Sequence, residues 1–587
     1  MRIKCRPSRR AGQGYALLLT VVFVSVFLLL LASLLQLTST QSLLTERNNL
    51  FTAAVAAAEG ATERVLAQMD RDYIQQRVNP DLSTYTGLIP SQTGWPVQFQ
   101  FSNGADVMDQ TGVYSLGASS YKVLESQFAG LMGWAEPYQI ISTATVLNQP
   151  YTVAATVSQK FQMASIPVFQ FAIFFNMDCE INPGDTMTIR GKVHANGNIY
   201  ISPPGKLTFY DDVSAVGQIY KTRNPNDPQG NSDPKNVTFL AEHVTQVSSI
   251  TMPIGTANNN PTNFSSAFLE PSPLGEDPNS PVSLQRLANR ADLVVSNYNN
   301  TNITVFYQDP DNFSRLTLVT NDVIIGTNKY YSFVTNATFY DYREGKTVRA
   351  TQIDVGKLNT WLAGPGSGFN SLKVFHAGVG INSVYVYTTN SSSPDLPAVR
   401  IVNGAQLPAT GLTVASPQPL YVKGHFNLNN GDTTPGQTNT VNTAPAALMG
   451  DAVTLLSPTW SDTYAAGDNL NSRQASDTTV NAALLVGIVP SATVQGNKKY
   501  SGGVENFPRL LEDWNNNNLT YNGSMVAMFY SRYATNFWQE PGKYYKVPAR
   551  LWAFDVNFRN QNRLPPLTPQ AKKLVRGQWN VIANNSR

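Results

Sequence analysis

With only two cysteines and four histidines in 587 residues, the chain has little material for disulfides or metal centres. Cys5 lies in a basic N-terminal stub and Cys179 far from it, so no internal disulfide is expected. Zinc needs clustered ligands, and His194, His243, His376 and His425 share no metal-type spacing. Cys179 reads as a small buried hydrophobe, and His194 as a turn or surface residue. Charge is also scarce, at 14% of residues with a net charge of +3. That argues against nucleic-acid binding, which asks for a concentrated basic surface. There is no G-x-S-x-G hydrolase elbow. "GPGSGFN" (364–370) lacks the Lys-Ser/Thr ending of a phosphate loop and reads as a flexible connection. No catalytic residue, metal or cofactor is expected.

One long apolar run is present, in "RRAGQGYALLLTVVFVSVFLLLLASLLQ". Residues 1–14 carry Arg2, Lys4, Arg6, Arg9 and Arg10 without an acid, and 15–37 carry no charge. As a helix the uncharged run is about 35 Å long, enough for a hydrocarbon core of about 30 Å. It is too long for the apolar region of an ordinary cleaved signal. The basic stub should stay in the cytoplasm, with everything beyond the span outside it. Residues 38–78 lack proline and repeat apolar residues at helical spacing: Leu44, Phe51, Val55, Ala58, Val65, Met69 and Tyr73. With no breaker at the join, one helix is expected from about 15 to 77.

"GQGYALLLTVVF" followed by "AAVAAAEGATERVLAQM" resembles the N-terminus of type IV pilin-like proteins. The nearest in kind are PilX-type minor pilins and the large minor pseudopilin of type II secretion. The resemblance covers about residues 9–75. It implies that a prepilin peptidase cuts after Gly14 and leaves Tyr15 as the new N-terminus. Leu19 then takes the fifth mature position, where major pilins carry a glutamate. It also implies a single-pass protein of the bacterial inner membrane, N-terminus cytoplasmic and head periplasmic or extracellular. Lateral packing against other pilin or pseudopilin subunits would run through Leu19, Phe51, Val55, Ala58, Glu59 and Val65. A compact head of roughly 490 residues would be about 60 Å across, which suits a filament tip better than a stacked shaft.

The head reads as mainly β. Residues 79–165 suggest a small antiparallel linker unit. "KVHANGNIY" (192–200) and "DVSAVGQIY" (212–220) then coincide at Val, Ala, Gly, Ile and Tyr with an offset of 20. Such a period points to coils of a parallel β-solenoid. Short apolar segments such as "PLYVKG" and "NAALLVGIV" lack strict alternation, as strands buried on both faces do. The expected architecture is a long N-terminal α-helix and a parallel β-solenoid head, 166–244 and 396–587, interrupted by a mixed α/β insertion at 245–395. β-Sandwich domains are the alternative. In the insertion, Ser283 offers an N-cap for a helix through Leu287 and Ala288, and "VGKLNTWLAG" a second helix. "FFNMDCEINPG", "GKVHANGNIY" and "FYDYREGK" resemble large bacterial PilX-related proteins.

The densest charge cluster, Asp341, Arg343, Glu344 and Lys346, reads as a solvated hairpin laced with ion pairs. Acid–base work on sugars is its sharper reading. "NPNDPQGNSDP" (224–234) reads as a polar loop without the spacing of a calcium hand. The aromatic tail, from Trp538, Tyr544 and Tyr545 to Trp552, Phe554 and Phe558, is expected to cap the solenoid's open end, or to stack a glycan. Together these point to a noncatalytic minor pilin-like or pseudopilin-like component at a tip, priming assembly or binding a surface, partner or glycan. The alternatives are a membrane-anchored polysaccharide-acting β-helix enzyme and a static envelope scaffold.

Overall fold

The computed structural model describes residues 13–74, 81–105, 107–252, 266–308, 316–325, 328–389, 394–428, 439–539 and 542–582. The chain is mainly β, with one long N-terminal helix, Gln13–Ile74, of 62 residues and about 90 Å. No proline interrupts it. The hydroxyls of Thr20, Ser25, Ser33 and Thr38 donate to carbonyls four residues back, so these hydroxyls are paired within the helix itself.

From Tyr15 to Asn49 the helix is exposed all round, and at Leu50 it meets a sheet. That sheet is antiparallel, with Met132–Val146 pairing Ala154–Pro167 at its centre. Phe99–Ser102, Gly112–Ser115 and Ser120–Val123 all pair with Met132–Val146. The sixth strand is Gln570–Ile582, which pairs with Ala154–Pro167. The unit expected from 79–165 alone is therefore closed by the far end of the chain.

Beyond Pro167 the 20-residue repeat becomes parallel pairing. Val193 lies opposite Val213, and Ile199 and Tyr200 opposite Ile219 and Tyr220. The ladders reach one turn earlier, where Ile173 and Cys179 face Val193 and Ile199. Cys179 is fully buried in an isoleucine position. Tyr200 and Tyr220 stack at 5.2 Å between ring centroids. Cβ atoms at Gly197 and Gly217 would fall 2.4 Å from Asp178 and Asn198 of the preceding turns, so these corners need glycine. One turn on, the offset grows to 30 residues (Leu207 opposite Val237) because the 221–236 loop is inserted. That loop is pinned by a buried Arg223–Asp227 ion pair at 2.7 Å.

The chain then crosses to the other end of the same sheet and returns toward its start. Leu293–Tyr298, Ser383–Thr389, Leu412–Ala415, Ala446–Gly450, Thr478–Ile488 and Asn518–Tyr530 are successive parallel neighbours. Asn518–Tyr530 then pairs with Ile173–Phe175, Met525 opposite Ile173. Strands from 245–395 are thus drawn into the head's sheets, including Lys346–Asp354, which pairs with Leu396–Val402 in a second, six-stranded sheet. Leu484 and Leu485 are both fully buried, on opposite faces, in separate apolar clusters. Burial on both faces explains the unbroken apolar runs.

Several local expectations change. Ser283 opens a 3-10 turn, Ser283–Gln285, and the α-helix that follows is only Leu287–Arg290. Val355–Ala363 is helical as read, with the Asp354 carboxylate capping the Lys357 N–H. "GPGSGFN" is not a flexible connection throughout, since Ser367–Ala377 is a helix. The aromatic tail does not cap an open end. Ala549–Phe554 pairs with Asn518–Gly523, end to end with Ile173–Phe175 along the same strand. Trp552 and Phe554 lie beside Ile173 and Met525, where the two halves of the stack meet.

Candidate functional site

The helix divides by face rather than only by length. Ala54, Ala57, Ala58 and Ala61 are 2% exposed or less and lie against Phe101, Ala144 and Val157 of the sheet. Val65, Leu66 and Met69 continue the contact against Ile140, Phe161 and Leu574. Small side chains at this spacing let the helix backbone come close to the strands. Ala58 and Val65, expected to meet a neighbouring subunit, are therefore occupied by the chain's own sheet, and Val55 is half-buried beside them. Leu19 (57% exposed), Phe51 (38%) and the exposed Glu59 remain on the free face. The spacing of the alanines carried this signal, but the face drawn through Leu44 and Phe51 was rotated from the buried one. Tyr15 is exposed in the first turns of the helix, and residues 1–12 of the leader lie outside the described residues.

The closing strand locks onto the same helix. Arg576 holds the Glu63 carboxylate with two hydrogen bonds, 2.5 and 2.8 Å, across 513 residues of sequence. Arg47, where the helix leaves the sheet, lies over the Tyr151 ring at 5.2 Å. Among the described residues this is also the one helix long and apolar enough to cross a membrane.

The charge cluster is not a solvated hairpin. Asp341, Arg343 and Glu344 are 2%, 7% and 4% exposed, and of the four only Lys346 is exposed. Asp341 accepts the Arg343 and Glu344 N–H groups and the Tyr421 hydroxyl at 2.6 Å. Glu344 pairs with buried Arg509 at 2.7 Å and accepts the Asn536 N–H. Burial and the nearby Arg509 lower the Arg343 pKa to about 9. Burial, then the adjacent Glu344, raises that of Asp341. The reason is long-range: the turn between Val334–Asp341 and Lys346–Asp354 is covered by the 531–539 segment, through Asn536. Next to it, Asp178, Glu180, Arg343 and Arg509 line a cavity of about 20 Å³. That is room for about one water and not for a sugar ring.

His194 is another correction. It is 2% exposed and stacks on Phe174 at 5.5 Å. Its Nδ1 lies 2.9 Å from Ser214 Oγ and its Nε2 3.1 Å from Asn196 Oδ1. Burial lowers its pKa to about 4, so the ring is a neutral rung of the ladder. Among the described residues no three His, Cys, Asp or Glu side chains group to hold a metal.

A groove missed in the sequence opens between the hairpin Ala492–Val494/Asn497–Lys499 and the segment around Trp538. It carries the adjacent Lys498 and Lys499 together with Lys543, more than 40 residues further on, too few and too separated to form a charge run.

No family model matches the chain and no curated protein does. Among solved structures, the competence-associated pilin ComZ from Thermus thermophilus matches at 12% identity, covering 91% of this chain and 97% of that one, with a TM-score of 0.28. A score that low does not place the two chains in one fold.

Proposed function

We propose that the chain is a noncatalytic pilin-like subunit of a type IV pilus or type II secretion filament, a minor component at its tip. The observation that carries this reading is the helix. Its apolar half, Tyr15 to Leu37, is exposed all round, and its upper half is clamped to the head by one face. An apolar rod rigidly joined to a folded head can leave a bilayer and enter a bundle of like rods without rearranging the head. The free face, with Leu19, Phe51 and Glu59, is the lateral contact. Prepilin peptidase frees the rod after Gly14, in the inner membrane, with the head outside the cytoplasm. The breadth of the head favours the tip, where nothing packs above it, and there it primes assembly or binds a surface or partner. The experiment is site-specific photocrosslinking in cells. A photoreactive residue at Glu59 should capture a smaller helical filament subunit, and a photoreactive methionine analogue at Met69, buried against the head's own strands, should react only within the chain. Capture from neither position, with the protein present in the membrane, would overturn the filament reading.

A further inference from the structure

We infer that the groove between the hairpin at 492–499 and the Trp538 segment binds an anionic saccharide. This gives the head a ligand that the proposed function leaves open, and in that sense rests on it. Direct binding nevertheless tests it without any filament.

The groove has a volume of about 540 Å³, within the usual range for ligand sites. Its cations are Lys498, Lys499 and Lys543, all exposed. Among the described residues none of them forms an ion pair, and no acidic side chain lines the groove. Three ammonium groups around one concavity, none paired with a described acid, concentrate anions.

The frame is rigid on each side. The hairpin turns through Gln495 and Gly496, both with positive φ (48° and 79°), the tight geometry that matches strand twist. Thr493 Oγ1 lies 3.0 Å from Asn226 Oδ1 and ties the hairpin to the inserted loop, which brings Gln229 to the rim. Opposite, the half-buried Trp538 ring lies on the backbone at Gly502 (φ 98°), where an added Cβ would sit 3.0 Å from the indole. Tyr500 meets the indole edge-on at 5.3 Å, and Trp538 Nε1 donates to the Tyr545 hydroxyl at 3.3 Å. The ring is therefore fixed before any ligand arrives.

A fixed indole beside amides and ammonium groups suits a sugar that bears acid groups. The apolar face of a pyranose covers the ring, hydroxyls meet Gln229 and Gln539, and carboxylate or sulfate meets the lysines. Single-stranded nucleic acid asks for a row of stacking rings along a basic track, whereas this groove has one indole and is walled on two sides.

The test is calorimetric titration of the full-length protein in detergent with tetragalacturonate and a heparin-derived tetrasaccharide. Maltotetraose, oligo-dT and a tetra-aspartate peptide are the comparison ligands. At least one acidic saccharide should bind, and binding should weaken as salt rises. A Lys498→Gln/Lys499→Gln/Lys543→Gln variant, all at exposed positions, should lose at least tenfold in affinity. Trp538→Leu should weaken binding as well, with the triple variant guarding against a folding defect. Absence of binding by both acidic saccharides, undiminished binding by the lysine variant, or tighter binding of oligo-dT or the peptide would overturn the assignment. Crosslinking from Glu59 is unaffected by any of these outcomes, so failure here is separable from failure of the filament reading.

Discussion

Replacing Ala58 with leucine tests whether the upper half of the helix is truly docked on its own head. Ala58 is fully buried in a contact also made by Ala54, Ala57 and Ala61 against Ala144 and Ala155, so the helix lies close to the strands with no room for three more carbons. Overpacking of this kind costs about 1–3 kcal/mol. On a helix free of the sheet, the same change would be close to neutral, within about 0.5 kcal/mol. The sign and size therefore separate the two arrangements. Ala56, exposed two residues earlier, is the matched control. By amide hydrogen exchange in detergent, Ala58→Leu should speed opening of the 54–61 segment by roughly 5- to 150-fold, the equivalent of that cost. Ala56→Leu should leave it unchanged. Equal protection in wild type and Ala58→Leu would mean that the alanine stripe does not touch the sheet.

Gly14→Ala should block removal of the leader, read as retention of residues 1–14 by mass spectrometry. Arg509→Ala leaves the buried Glu344 carboxylate without its cation and should cost about 3–5 kcal/mol, seen in thermal unfolding. Arg576→Ala removes a half-exposed pair, 54% and 41% exposed, and should cost no more than about 1 kcal/mol. Glu180 has its pKa raised by burial to about 7, and its Oε2 has no hydrogen-bond partner. A carboxyl more basic in the folded state than unfolded binds more protons when folded, so its stabilisation is full at low pH. It is lost as pH rises from about 4.5, through the folded pKa near 7. Glu180→Gln should flatten that fall and raise the unfolding temperature at pH 8.

The helix was legible because nothing breaks it, and the coils because five identities recur at one offset. The earlier coil escaped notice since Ile173, Cys179 and Met187 stack with Val193, Ile199 and Leu207 by shape rather than identity. A ladder asks only that side chains fit one above another. The pairing of Met525 with Ile173, and of the closing strand with Ala154–Pro167, spans hundreds of residues. No local pattern records such contacts. Asp341 and Glu344 looked solvated because the groups that bury them, Tyr421, Arg509 and Asn536, lie 80 to 192 residues away. The basic groove was hidden for a similar reason: Trp538 was visible as part of an aromatic tail, but only the fold brings Lys498 and Lys499 beside it.

Sequencing the N-terminus of the protein purified from its native membrane goes straight to the proposal that the helix is a pilin-like rod. A chain beginning at Tyr15 is the expected result. A chain that still begins at Met1, from cells in which other pilin-like subunits are processed, would contradict it.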